Sequence, residues 1–209
     1  MKINYWRDAL QNLSEPYKKW LNEEANILKK YIKNGAKVLD IGCGDGRILK
    51  LLATRTKNQI GIDHDINVVK HAIKKIDDIP IKIIFGEGIN LPFENESFDN
   101  VLCLGTFANL DYERLKVLNE MKRVLKKDGL MIISSYSEDA LEERLKLYDK
   151  TGSRIKEKNE NGKIIFEDGV DNISEQFSRE QLESMFSEVG LKIKEIKKIG
   201  IGYVCVLLK

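Results

Sequence analysis

Three cysteines in 209 residues (Cys43, Cys103 and Cys205) are an odd number, and no Cys-x-x-Cys pair occurs among them. That spacing argues against a disulfide framework or a zinc site, so all three are read as reduced thiols. Prolines are equally few. Pro16, Pro80 and Pro92 mark local boundaries only, and neither an internal repeat nor a low-complexity linker divides the chain. Long apolar runs are missing too: stretches such as Val204 to Leu208 fall far short of the about 20 residues that a bilayer-spanning helix needs. The opening stretch, MKINYWRDALQNLSEPYKKW, lacks the apolar core of a secretory signal. A cytoplasmic protein with no membrane partner is therefore expected. Neither sign of charge dominates, since 35 Lys plus Arg face 33 Asp plus Glu in an interspersed pattern with a net charge of +2. This argues against a broad nucleic-acid footprint. The basic run Lys194 to Lys198 reads as a lysine-protected strand edge.

What is present is a soluble, globular balance, 42% hydrophobic and 33% charged, in a chain of the right length for a single domain over 1–209. Short β-branched runs at Lys37–Ile41, Gln59–Asp63, Ile81–Phe85, Phe98–Leu104 and Leu130–Ser135 read as buried strands. Helical periods lie between them, most clearly over Ile66–Ile76 and Asp111–Lys127. Such alternation predicts an α/β fold with a parallel sheet covered by helices on both faces. Ser178 and Gln181 have capping-box spacing ahead of an apolar face that ends at Gly190. Two β-rich runs, Leu191–Ile199 and Ile201–Leu208, follow with only Gly200 or a neighbour between them, which forces an antiparallel hairpin. Two segments lie outside this alternation. Residues 1–34 contain an amphipathic helix capped at Ser14, with Pro16 in its first turn. Residues 137–177 form an insertion with a helix near Glu138–Lys150 and a hairpin about Asn159–Gly162. Because the insertion leaves from the carboxyl end of the fifth strand, it should overhang the ligand crevice as a cap.

The chemistry concentrates in Val38–Leu49, VLDIGCGDGRIL. Gly42, Gly44 and Gly46 stand between a buried strand and a helix, where the backbone must turn sharply and come close to a ligand. The spacing is G-x-G-x-G. A dinucleotide fingerprint would need its third glycine where Arg47 stands, and a P-loop would need a Gly-Lys-Ser/Thr ending that is absent. The loop thus suits a nucleoside-like ligand without a phosphate cradle, and a nicotinamide dehydrogenase is disfavoured. Asp63 follows Gly42 by 21 residues at the end of the second strand, where a carboxylate can accept hydrogen bonds from both ribose hydroxyls. Its simpler role would be to cap the following helix.

With these residues in place the chain resembles the class I S-adenosylmethionine-dependent methyltransferases, the group with a VLDIGCGxG first motif. VLDIGCGDGR resembles the cofactor loop and GIDHD the acidic second motif. FGEGINLPFENESFDNVLC resembles the third and fourth motifs, and LKKDGLMIISSY the fifth strand with its lead-in. The resemblance covers about Gly35 to Lys209 with the insertion as an interruption. It implies a three-layer Rossmann-like fold whose mostly parallel seven-stranded sheet ends in an antiparallel hairpin. It also implies S-adenosyl-L-methionine as cofactor, with S-adenosyl-L-homocysteine as product. By that resemblance the backbone of Gly42, Cys43 and Gly44, with Gly46, would hold the methionine part, and Asp40 would order the loop and face the ammonium. Asp63 would take the ribose, Glu87 with Gly88 the adenine edge, and the carbonyl region at Leu104 would line the methionine amino group. His64 would pack on the adenosine or lie exposed in a turn. Glu87 stands where Asp is more usual.

A sulfonium is already an activated leaving group, so transfer requires alignment and exclusion of water more than a catalytic triad. No cysteine has the partner of a covalent nucleophile. Tyr136, at the end of the fifth strand, is the one candidate for proton removal. Leu104 to Asn109 contains no Asn-Pro-Pro-Tyr or Asp-Pro-Pro-Tyr run, which argues against the best-known base and glutamine amide methylating subclasses. A small-molecule acceptor methylated at N, O or C is expected, with Tyr5, Trp6, Phe107 and the cap as pocket walls. The alternatives are a cofactor-binding regulatory module without turnover, and an RNA or protein methyltransferase. The sequence leaves monomer and homodimer equally open.

Overall fold

The computed structural model describes residues 13–76, 80–167 and 173–209 of the chain. Its main sheet begins with strands β1 (Val38–Ile41), β2 (Gln59–Asp63), β3 (Lys82–Phe85), β4 (Phe98–Leu104) and β5 (Leu125–Ser137). They lie parallel in the order β3-β2-β1-β4-β5. Strand β11 (Gly202–Leu208) adds to β5 antiparallel, and β10 (Lys192–Ile199) closes that edge antiparallel to β11. The anticipated terminal hairpin is thus present, turning at Gly200 and Ile201. Lysines do line the edge strand, and Lys197 pairs with Glu23 at 2.5 Å.

Period-two alternation in the strands buries both faces of this sheet. Val101 and Cys103 of β4 face one apolar cluster and Leu102 and Leu104 the other. Helices α4 (Arg114–Val124) and α6 (Arg179–Glu188) cover the first face through Leu118, Met121, Leu182 and Phe186. Helices α1 (Glu15–Tyr31) and α2 (Arg47–Leu52) cover the second through Trp20, Leu28, Ile48 and Leu52. Helix α3 (Ile66–Lys75) packs a smaller cluster at the β3 side through Val69 and Ala72. The result is the three-layer Rossmann-like arrangement.

Local signals explain most boundaries. Ser178 and Gln181 form a complete capping box at α6, and Asp65 caps α3 by accepting from the amides of Asn67 and Val68. Ser14 precedes α1 as expected, but its side chain makes no capping bond, and Pro16 supplies the preset first turn. The helix expected over Asp111–Lys127 is shorter. A 3-10 turn occupies Asp111–Glu113, α4 ends at Val124, and Leu125 is already extended and registered with Phe98 of β4. Pairing with β4 thus overrides the helical period there, and β5 starts five residues before Leu130.

Between β5 and α6 the chain builds helix α5 (Leu141–Lys150) and a separate three-stranded sheet of β6 (Ile155–Lys158), β7 (Ile164–Phe166) and β8 (Ile173–Ser174). The β6–β7 turn falls at Asn159–Gly162, where the Asn159 side chain accepts from the Lys163 amide at 2.9 Å. Two strands were not anticipated, β8 and a second that joins the main sheet. Gln176 and Phe177 (β9) pair in parallel with Tyr136 and Ser137, adding an eighth member to the main sheet and tying the insertion to the end of β5.

Candidate functional site

Two adjoining cavities open at the carboxyl ends of β1, β2 and β4, where parallel α/β sheets form their ligand crevice. The larger, about 840 Å3, is walled by the glycine loop, α1 and the inserted cap. The smaller, about 190 Å3, lies against Gly86–Ile89. Gly42, Asp63, His64, Thr106 and Asn109 line both.

The glycine loop owes its shape to particular bonds. Gly42 has φ +68°, and a Cβ there would sit 2.2 Å from Thr106 Oγ1. Only glycine lets the loop pass beneath the β4 end, where the Thr106 hydroxyl donates to the Gly42 carbonyl at 3.1 Å. Asp63, nearly buried, accepts from the Gly44 amide at 2.9 Å and from the Asp65 amide at 3.0 Å. Loop ordering therefore falls to Asp63, since none of the hydrogen bonds among the described residues involves the Asp40 carboxyl. Asp40 is buried beneath the loop and lines the larger cavity. Burial, reinforced by the nearby carboxylates of Asp63 and Glu24 and opposed by Arg47, pushes its pKa up to about 7.

Of the residues picked out from sequence, Asp40, Gly42, Cys43, Gly44, Asp63, His64, Leu104 and Tyr136 all line the larger cavity. Glu87 and Gly88 line the smaller one. Gly46 lines neither. It takes φ +81° at the start of α2, where a Cβ would meet Ile76 at 3.3 Å, so its place is in the packing of the loop. Burial raises the Cys43 thiol well above its ordinary range, as it does the thiols of Cys103 and Cys205, which keeps all three protonated. Tyr136 reaches the cavity, yet burial drives its phenol pKa up as well. Its hydroxyl accepts a long 3.5 Å contact from Tyr17. Phe107 is wholly buried in the core, packed against Phe177 and Phe186 rather than forming a pocket wall. Tyr5 and Trp6 lie outside the described residues.

Several lining residues escaped sequence reading. Glu24 of α1 is 1% exposed and receives Arg47 Nη2 at 2.9 Å and the hydroxyl of Ser134 on β5. Ser134 in turn accepts from the Gly105 amide at 2.9 Å. A single chain of bonds thus joins the N-terminal helix, the start of α2 and the ends of β4 and β5. The signal for Glu24 was available, since it shares the buried face of α1 with Tyr17, Trp20, Ile27 and Leu28. Thr106 and the cap residues Tyr148, Phe166 and Ser174 carried no comparable signal.

Comparison with known proteins agrees with this geometry. Residues 32–194 match a family model described as a methyltransferase domain. An uncharacterized protein of Methanocaldococcus jannaschii is 30% identical over 92% of this chain and 89% of its own length. A demethylmenaquinone methyltransferase of Staphylococcus epidermidis is 31% identical over 64% of this chain and 61% of that enzyme. Two further M. jannaschii relatives match at higher identity over about half of this chain, which spans 41% and 50% of their lengths. A solved structure described as an S-adenosylmethionine-dependent methyltransferase of Methanosarcina mazei superposes with a TM-score of 0.68 at 21% identity, over 88% of this chain and 96% of that one. The fold is shared over that extent, and no helix among the described residues is long and apolar enough to cross a membrane. With a family model spanning most of its length and a Rossmann-like sheet in the order above, the chain belongs to the class I methyltransferase family.

Proposed function

We propose that this protein transfers the methyl group of S-adenosylmethionine to an N, O or C nucleophile on a small molecule, with S-adenosylhomocysteine as product. The observation that carries this reading is the continuity of the two cavities through Gly42, Asp63 and His64. Together they offer a narrow slot at Glu87 and Gly88 for a base, Asp63 for a ribose, and an acid-lined recess at Asp40 and Glu24 for an ammonium. The donor set fits the cofactor. Three carboxylates, Glu24, Asp40 and Asp63, face one guanidinium, Arg47, which suits a ligand bearing cationic ammonium and sulfonium groups. A Cβ on Gly44 would meet nothing within 4 Å, so the loop backbone faces open space.

The cofactor, when bound, supplies an activated methyl group. The protein's contribution is binding, alignment and exclusion of water, which can lower a barrier by about 7–11 kcal/mol. Tyr17 and Trp20 of α1 and Tyr148 and Phe166 of the cap give the cavity aromatic walls. The raised pKa of Tyr136 makes its phenol a poor proton acceptor near neutrality, so deprotonation of the acceptor is not assigned to it. The relationship to a quinone-methylating enzyme supports a small acceptor. S-adenosylhomocysteine should raise the melting temperature, and labelled cofactor should pass its methyl group to a component of a small-molecule extract. No thermal shift at saturation would refute cofactor binding. A shift without any transfer would point to a binding module that does not turn over.

A further inference from the structure

Arg144 of α5 is fully buried, and every hydrogen-bond partner it has is neutral. Its Nη1 donates to the Gly162 carbonyl and to Gln176 Oε1, both at 2.9 Å. Its Nη2 donates to the Ser174 carbonyl at 2.7 Å and to Ser174 Oγ at 3.0 Å, and Nε reaches the Tyr148 hydroxyl at 3.5 Å. No carboxylate of the described residues lies within 4 Å of it. A guanidinium removed from water without a counter-charge is costly, and it leaves a positive potential in its surroundings. Arg144 sits behind one wall of the larger cavity, 4.9 Å from the Tyr136 ring centroid, with Tyr148 and Ser174 between it and the opening.

The hydrogen bonds at that wall run one way. Tyr148 also donates its hydroxyl proton to Ser174 Oγ, at 2.9 Å. Both lone pairs of Ser174 Oγ are then occupied by donors, Arg144 and Tyr148, and its own proton has no acceptor among the described residues. Ser174 is 2% exposed and lines the cavity. A buried hydroxyl whose lone pairs are filled and whose proton is left over calls for an oxygen acceptor, and the charge behind it favours an anionic one. Lys150 and Arg154 stand on the same side at the rim, Arg154 paired with the exposed Glu167 at 3.2 Å. The carboxylates of the cavity, Glu24, Asp40, Asp45, Asp63 and Asp65, come from α1, β1, the glycine loop and the turn from β2 into α3, and none comes from the insertion.

We propose that the methyl acceptor is a small molecule with an apolar or aromatic body and an anionic oxygen group, the anion received by the Ser174 hydroxyl with Tyr148 and Arg144 behind it. This rests on the methyltransferase reading above. The body would lie among Tyr17, Trp20, Tyr136 and Phe166.

The test uses the full chain saturated with S-adenosylhomocysteine and matched probes: indole-3-acetate against indole-3-acetamide, and phenyl phosphate against phenol. Calorimetric titration should show the anionic member of at least one pair bound about ten-fold more tightly, the usual scale of a hydrogen bond to a charged group. The pair that responds identifies the acid as carboxylate or phosphate. S174A should remove most of that preference while the affinity for S-adenosylhomocysteine stays unchanged. Equal binding within both pairs, or none at millimolar concentration, overturns the inference while the cofactor reading stands. A loss of S-adenosylhomocysteine affinity in S174A also overturns it, because the anion served would then be the cofactor's own carboxylate. Failure of S-adenosylhomocysteine to bind the unaltered protein overturns the cofactor reading itself.

Discussion

Replacing Asp40 with Asn should stabilise the ligand-free protein and weaken its hold on the cofactor. The Asp40 carboxyl rises from 3.8 to about 7 on folding, chiefly through burial. Between these values the folded protein keeps a proton that the unfolded chain has released, so raising the pH favours unfolding. The penalty is absent below about pH 4 and complete above about pH 7, where it amounts to about 4 kcal/mol. Asn cannot ionise and escapes it. Burying an amide in place of the acid costs about 1–2 kcal/mol, which leaves D40N about 2 kcal/mol more stable than the unaltered chain above neutrality and less stable by about that amide cost in acid. Urea denaturation across that pH range reads the difference directly. The same carboxyl should give up its proton when an ammonium binds beside it, so calorimetry of S-adenosylhomocysteine in buffers of differing ionisation enthalpy should detect proton release from the unaltered protein but not from D40N. Parallel stability curves for the two proteins would refute the reasoning, because Asp40 would then be ionised in the fold throughout.

Three other substitutions test separate parts of the site. G42A introduces a Cβ 2.2 Å from Thr106 Oγ1 at a backbone φ of +68°. It should cost at least about 1–3 kcal/mol in urea and abolish the thermal shift by S-adenosylhomocysteine, whereas unaltered binding would mean that Thr106 moves aside freely. Y136F should retain methyl transfer to within a few-fold, since general base catalysis contributes about 100-fold or more where it operates. A loss of that size in single-turnover assays would restore Tyr136 as proton acceptor. E24A removes the buried end of the Arg47 pair and the partner of Ser134. With Arg47 itself part-exposed, destabilisation of about 1–3 kcal/mol is expected, together with weaker S-adenosylhomocysteine binding. A variant as stable as the parent would show that α1 is held by its apolar face alone.

The parts of this site that could be read from the chain are those whose determinants are contiguous. VLDIGCGDGR places a loop and a helix start within a dozen residues, and its odd glycine spacing already separates it from phosphate-binding loops. Asp63 could be located because a strand of five residues ends on it. The terminal hairpin was legible because Gly200 leaves no room for any other connection. Where pairing between distant segments decides the structure, local pattern misleads. The helical period over Asp111–Lys127 runs past Val124, but the register of Leu125 with Phe98 ends the helix there. Phe107 has the aromatic character of a pocket wall and the position to be one, yet Phe177 and Phe186 arrive from beyond the insertion and take it into the core.

The acceptor wall is the extreme case of that dependence. Ser174 and Gln176 reach Arg144 across 30 and 32 residues of chain, and Glu24 reaches Ser134 across 110. Nothing in the residues around Arg144 announces burial: it lies on a helix that also carries Glu142, Glu143 and Lys146, and a surface arginine is the ordinary reading of such a pattern. It is buried because β8 and β9 fold back over α5 and offer it carbonyl and amide oxygens in place of water. None of those acceptors carries a charge, so they satisfy its hydrogen bonds and leave its field intact at the cavity wall. The lining around the glycine loop has the reverse balance, carboxylates in excess of the single Arg47. An 840 Å3 space whose carboxylates come from the strand ends and α1, and whose insertion brings Lys150, Arg154 and the Tyr148 and Ser174 hydroxyls in front of Arg144, suits a cationic ligand near the first set and an anionic one near the second. On the proposed function, the glycine loop would fix where the methyl donor lies, and contacts assembled only by the complete fold would select what the donor meets.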